Sequence, residues 1–377
     1  MKSGFHRLSI SLLLFSISLF IALLLAEGLA RVVMKKGLKA VGSDIVCYYY
    51  TSAAGEMRIR PNVSAWHVGY DDQPVKVAIN SYGFRGPELE PSPLHRVVFL
   101  GDSVVFCGGV PWENTFVALL EHSFRQEGFD LEVVNAGLAD IGIDQYLLQA
   151  EGERLTALKP DLLVVGLYLN DSRPPQGYIG EDNPDQIIRW LERPFLSRSA
   201  LINEIKYAYL VFKSLRGRYS SHRFQWVSHF QSRTWMTDPE AFRTTVTEAC
   251  YDWGAAWDPS FAATVYPGLI RIQQICRQRH TRLAVVMFPV SIQVYTALQS
   301  PYVSLPQQEF AAFARSRSLP FLDLLPALRR HNSESPIFKD HCHLTKKGNE
   351  IAAAAIHEFL KEILLSIPET ELAKLTD

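Results

Sequence analysis

The sequence predicts an α/β protein: a doubly wound, flavodoxin-like parallel sheet of about five strands with helices on both faces, plus an N-terminal transmembrane helix and a partly helical insertion. Three observations predict it. First, short β-branched or apolar runs recur at Arg96–Leu100, Leu131–Val134, Asp161–Leu169, Arg282–Phe288 and Pro320–Leu324. Near-continuous apolar runs of this length suit parallel strands buried on both faces. Second, helical periodicity fills the gaps between them. Trp112, Phe116, Leu119, Leu120 and Phe124 form one apolar stripe, and further helices are predicted over 144–158, 262–279, 306–316 and 346–365. Strands alternating with helices wind into a parallel sheet with right-handed crossovers. Third, the stretch from Leu8 to Ala26 carries no charge. As a helix it would be roughly 28 Å long, enough to cross a hydrocarbon core.

These elements divide the chain. Residues 1–39 read as a membrane anchor with its span at about 8–26, and 40–92 as an irregular, polar lead-in ending in the turn-rich stretch INSYGFRGPE. Residues 93–171 and 261–366 carry the strand–helix rhythm, and 367–377 form a tail. Between the two parts of the sheet lies 172–260, rich in arginine and aromatic residues, including Trp190, Trp226, Trp235, Trp253 and Trp257. So long a connection needs structure of its own. It reads either as a cap over the C-terminal edge of the sheet or as a helical side layer.

Composition excludes some functions. The net charge is −1 over 377 residues, and no lysine or arginine run could track a phosphate backbone, which argues against nucleic acid as a partner. Cys47, Cys107, Cys250, Cys276 and Cys342 are odd in number and form no CxxC pair, so neither a zinc knuckle nor a disulfide framework is indicated. The apolar N-terminal run is long for a cleaved signal peptide, and its small-x-small candidate, Ala26-Glu27-Gly28, is weak. Lys2 and Arg7 precede the span, while Arg31, Lys35, Lys36 and Lys39 follow it. That count would put the C-terminal side in the cytoplasm; the site chemistry points to the opposite side.

The chemistry-bearing residues sit at strand ends. Gly101-Asp102-Ser103 follows the first strand, where ligands bind in open α/β sheets. A serine nucleophile needs an adjacent base, usually a histidine oriented by a carboxylate. Asp340-His341-Cys342-His343, before the last helix, supplies Asp340 and His343 from one short loop, with His341 the rival base. Asp340 with either histidine could instead belong to a metal site. Asn170-Asp171 ends the third strand, where an asparagine amide can either donate to an oxyanion or cap a turn. Asn135-Ala136-Gly137 ends the second.

The order strand–GDS, strand–NAG, strand–ND and late DxxH resembles the SGNH (GDSL-type) hydrolase superfamily, over about Ile79 to Leu365 apart from the insertion. The stretch INSYGFRG…RVVFLGDSVVF also looks like bacterial membrane-anchored members associated with polysaccharide acyl esters. The resemblance implies that Ser103 is the nucleophile, His343 the base, Asp340 its orienting partner and Asn170 an oxyanion donor. The backbone N–H of Ser103 is a further donor, and that of Asp140 stands where the family usually has a glycine. Tyr168 likewise replaces the glycine of the usual GxND block. No cofactor and no metal are implied, because the triad supplies nucleophile, base and oxyanion stabilisation itself.

The expected activity is therefore a serine esterase acting on O-acyl, chiefly O-acetyl, esters of a carbohydrate or polysaccharide, on the periplasmic or extracytoplasmic side of a membrane. An O-acyltransferase would use the same residues, with a sugar hydroxyl in place of water. A catalytically weak carbohydrate-binding protein is the third reading, supported by Asp140 and by tryptophans able to stack on sugar rings.

Overall fold

In the computed structural model, the structure describes residues 2–36, 48–68, 74–173, 186–191, 196, 199, 201–202, 205–206, 209, 226–333 and 335–365. The predicted tail 367–377 and much of the first half of the insertion lie outside the described residues.

An apolar helix spans Lys2–Lys36, running beyond the charge-free stretch at both ends. Within it Leu13–Val32 is long and apolar enough to cross a membrane by length and composition, a test that a signal sequence also passes. Its side chains are almost wholly exposed, so it is not a core helix. Glu27 joins it to the insertion, accepting hydrogen bonds from Ser199 Oγ (2.7 Å) and the Leu201 N–H (3.0 Å).

The lead-in is not irregular, which corrects the sequence reading. It folds into two antiparallel hairpins, β1 (Tyr49–Thr51) with β2 (Met57–Ile59), and β3 (Ser64–Val68) with β4 (Pro74–Ala78). Burial alternates along β4, with Val75 and Val77 inside and Lys76 outside. That period of two marks a half-buried strand, too short here to stand out by sequence alone.

The central sheet holds all five predicted strands, in parallel: β5 (His95–Gly101), β6 (Leu131–Asn135), β7 (Leu162–Leu167), β8 (Arg282–Met287) and β9 (Phe321–Asp323), ordered β6-β5-β7-β8-β9. Every residue of β6 and β7 is buried, as expected of strands covered on both faces. The chain steps from β5 to β6 on one side and from β6 to β7 on the other. With right-handed crossovers, the intervening helices fall on opposite faces. The helix Phe116–Gln126 packs on Lys346–Leu365, and Ile143–Glu151 packs on Pro259–Gln278. The ends of β5 and β7 thus form the topological switch point.

Two helix boundaries differ from the sequence reading. The segment 144–158 is two helices, Ile143–Glu151 and Glu153–Leu158, broken at Gly152. Trp112 sits in its own 3-10 turn, because Thr115 caps a new helix at Phe116 by accepting the Ala118 N–H. The insertion is partly helical as predicted, with helices Gln186–Leu191, Trp226–Ser232 and Pro239–Glu248. Its tryptophans mostly face inward. Trp226, Trp235 and Trp253 are buried in the core, and Trp257 is part-buried against Tyr302, whereas Trp190 is exposed. The buried three are packing residues, not a platform for sugar rings.

Candidate active site

The chain leaves β5 through Gly101, which lies in register with Gly166 of β7. A β-carbon at Gly101 would stand 2.1 Å from Val105 Cγ2, and one at Gly166 would stand 2.4 Å from the same atom. The two glycines leave a slot for Val105, which draws the following turn onto the sheet. Asp102 is buried and caps the short helix Ser103–Phe106, accepting the Val104 N–H at 2.8 Å. The aspartate of the GDS motif therefore builds the turn. Burial pushes its carboxyl up to about 6, against that hydrogen bond and the nearby His343. Ser103 is part-exposed and opens the helix, so its N–H has no acceptor within the helix. Arg85 secures the other end: its buried guanidinium donates to Phe106 O (2.5 Å) and Val110 O (2.6 Å).

Asp340 and His343 arrive on the loop before the last helix. Asp340 Oδ1 accepts the backbone N–H groups of Cys342 (2.9 Å) and His343 (2.8 Å), which folds the loop into a tight turn. Its Oδ2 lies 2.7 Å from His343 Nδ1, and His343 Nε2 lies 3.0 Å from Ser103 Oγ. Partial burial opposes ionisation of Asp340, but the His343 hydrogen bonds and the charges of His343 and His341 outweigh it and hold the carboxyl below the usual range. The relay Ser103–His343–Asp340 is continuous at hydrogen-bond distance, which is what activation of a serine requires.

His341, the rival base, is engaged elsewhere. Its Nε2 lies 3.4 Å from Asp252 Oδ2, and its ring meets Trp226 edge-on at 4.9 Å. The donor atoms of Asp340, His341 and Cys342 lie within 4.8 Å of one another, a spacing a metal could use. Two of those groups already serve His343 and Asp252, and burial pushes the Cys342 thiol well up, which disfavours the thiolate a metal needs.

Asn170 stands just beyond β7, beside the strand that carries Ser103. Asp171 is buried and makes the turn, accepting the Tyr168 N–H (2.8 Å) and the Tyr146 hydroxyl (2.7 Å). Tyr168 is buried. The Asn170 amide nitrogen lies 3.2 Å from Asp252 Oδ1. After β6, Asn135 donates to Val105 O (2.7 Å) and accepts the Gly137 N–H (3.0 Å), locking this loop onto the Ser103 helix. Asp140 follows with φ of +63°, in the left-handed region that glycine takes freely and aspartate tolerates better than most residues. The Asp140 carboxylate acts on Tyr49 of β1, whose hydroxyl is pushed up by burial foremost and also by that charge.

Four residues that shape this site were not singled out by sequence. Arg85 lay within the stretch INSYGFRG, noted for its turns and its resemblance but not for the arginine itself. Asn349 follows the DxxH loop and is fully buried. It accepts the Phe116 N–H at 2.9 Å and donates to Leu344 O (3.1 Å) and Thr345 O (2.9 Å), tying the two halves of the site together. His67 of β3 packs beside Gly108; burial pushes it down to about 4, with Arg85 and His343 adding to the effect. Asp252 comes from the insertion.

No family model and no curated protein matches the chain. Among solved structures it is similar to a catalytic mutant of an acetylxylan esterase from Geobacillus stearothermophilus, at 13% identity and a TM-score of 0.41 over 72% of this chain and 96% of that one. It is also similar to a member of the lipolytic protein G-D-S-L family from Veillonella parvula (13%, 0.37, 70% and 97%) and to an acetyl xylan esterase (12%, 0.37, 69% and 97%). These likenesses are remote, and the functional reading stands on the site's own geometry.

Proposed function

We propose that this chain is a serine carboxylic ester hydrolase of the SGNH type, removing O-acyl groups, chiefly O-acetyl, from a carbohydrate. One observation carries the reading: Ser103 Oγ, His343 and Asp340 form an unbroken hydrogen-bonded relay at the C-terminal edge of a doubly wound sheet. In the reaction Ser103 Oγ attacks the acyl carbon while its proton passes to His343 Nε2, and Asp340 holds the Nδ1–H and stabilises the imidazolium. The oxyanion is met by the backbone N–H groups of Ser103 and Asp140 and by the Asn170 amide. His343 then returns the proton to the leaving alcohol, and water, activated by the same histidine, releases the acid.

Residues 93–171 and 261–366 would form the catalytic unit, with 172–260 packed against its site. The N-terminal helix would anchor it, holding the catalytic unit on the extracytoplasmic side. The carbohydrate ester and the sidedness come from the resemblance to anchored members of the superfamily. The test is acetate release from an O-acetylated polysaccharide by the full chain. Release that disappears in Ser103→Ala supports the reading. Turnover of small esters with no release from any polysaccharide would remove the carbohydrate part.

A further inference from the structure

We infer that Asp252 of the insertion is a positioning residue for the oxyanion-binding amide of Asn170, an inference that rests on the esterase reading. Its two carboxylate oxygens take separate partners: Oδ1 lies 3.2 Å from Asn170 Nδ2, and Oδ2 lies 3.4 Å from His341 Nε2. The residue is almost completely buried and comes from 82 positions further along the chain than Asn170.

Its place in the fold makes that use of the side chain informative. Asp252 is the N-cap of the 3-10 turn Trp253–Trp257, a position where aspartate ordinarily bonds its own helix. Here the side chain makes no capping bond and is turned on Asn170 and His341 instead. The turn is held rigidly. A β-carbon at Gly254 would stand 2.1 Å from Val246 O, and Trp253 is wholly buried edge-on against Trp226, which meets His341 in turn.

An asparagine amide can flip, exchanging its donor and acceptor ends. A carboxylate accepting an amide hydrogen fixes which end of the amide is NH2 and so sets its orientation. A carboxylate this near a developing oxyanion would oppose it if left bare, because charges interact strongly in a site shielded from water. His341 answers that charge: burial acts to lower its proton affinity, but the hydrogen bond and charge of Asp252, with Asp340 and Asp102, outweigh burial and raise it. The second histidine of the DxxH loop thus serves the oxyanion side of the site, and His343 serves the nucleophile.

The test uses the full chain in detergent, with p-nitrophenyl acetate as substrate and a fluorophosphonate as the label for Ser103. Asp252→Asn keeps the volume and removes the charge. The expected result is a kcat lower by on the order of 10- to 100-fold, as for a misplaced catalytic group, with KM and melting temperature nearly unchanged. Added to Asn170→Ala, it should cost no further activity. A kcat for Asp252→Asn within about twofold of wild type, or losses that multiply in the double variant, would overturn the inference. Should Asp252→Asn fail to fold, Asp252→Glu keeps the charge on a longer arm, and the same losses and the same double-variant comparison decide. A wild type that takes no label removes the esterase reading and this inference together. A labelled wild type with an undisturbed Asp252→Asn removes the inference alone.

Discussion

His343 Nε2 lies 3.0 Å from Ser103 Oγ, a contact between residues 240 positions apart in the chain. The loop that carries His343 carries a second histidine two residues earlier, yet that one is held by Asp252 and Trp226. The two histidines therefore predict different losses. His343→Ala should remove nearly all turnover of p-nitrophenyl acetate, and Asp340→Asn should cost on the order of 10⁴-fold by disturbing the histidine tautomer. His341→Ala should leave a measurable enzyme with its Ser103 still reactive. Kinetics on the three purified variants decide, and an inactive His341→Ala beside an active His343→Ala would reverse the assignment of the base.

Asp140 is the position where the chain departs most from the family pattern it resembles. Its positive φ suits glycine, and its carboxylate acts on Tyr49 of the first hairpin. Asp140→Gly should then leave kcat within about threefold of wild type, less than about 1 kcal/mol of barrier. A large gain in turnover would show that the carboxylate opposes the oxyanion and that the natural chain is a restrained catalyst.

The pairing of His341 with Asp252 has a pH signature. Three carboxylates, Asp252, Asp340 and Asp102, act on this imidazole and raise its proton affinity in the folded chain above the ordinary 6.5, against the effect of burial. A raised folded value means that folding favours the protonated form. The stabilisation is fully present below 6.5 and is lost as pH rises through the folded value. Compared with His341→Gln, which does not titrate, the wild-type advantage in unfolding free energy should shrink as pH rises above the ordinary 6.5. Urea unfolding at a series of pH values measures it, and an advantage that grows with pH would contradict the pairing.

Much of this architecture was legible because buried parallel strands must be apolar almost throughout. All five runs, from RVVFL to PFLDL, became strands, and the GDS, NAG and ND motifs fell just beyond the C-terminal ends of the first three, while Asp340 and His343 reach the site on a loop before the last helix. The hairpins were not legible: β1 and β2 have three residues each, and β3 and β4 only five, too few for a period of two to emerge. Asp252 had no local signature, since its role depends on a contact 82 residues away. The tryptophans of the insertion carried a misleading one. Aromatic composition is the same for a core as for a binding face, and only tertiary packing put Trp226, Trp235 and Trp253 inside.

The proposed chemistry requires Ser103 to be a nucleophile activated by His343. The most direct measurement is mass spectrometry of the full chain after reaction with a fluorophosphonate, with peptide mapping of the adduct. One phosphonyl group is expected on Ser103, formed slowly or not at all in His343→Ala and unaffected in site by His341→Ala. Absence of any adduct in the folded wild type, or an adduct on another residue that survives Ser103→Ala, would contradict it.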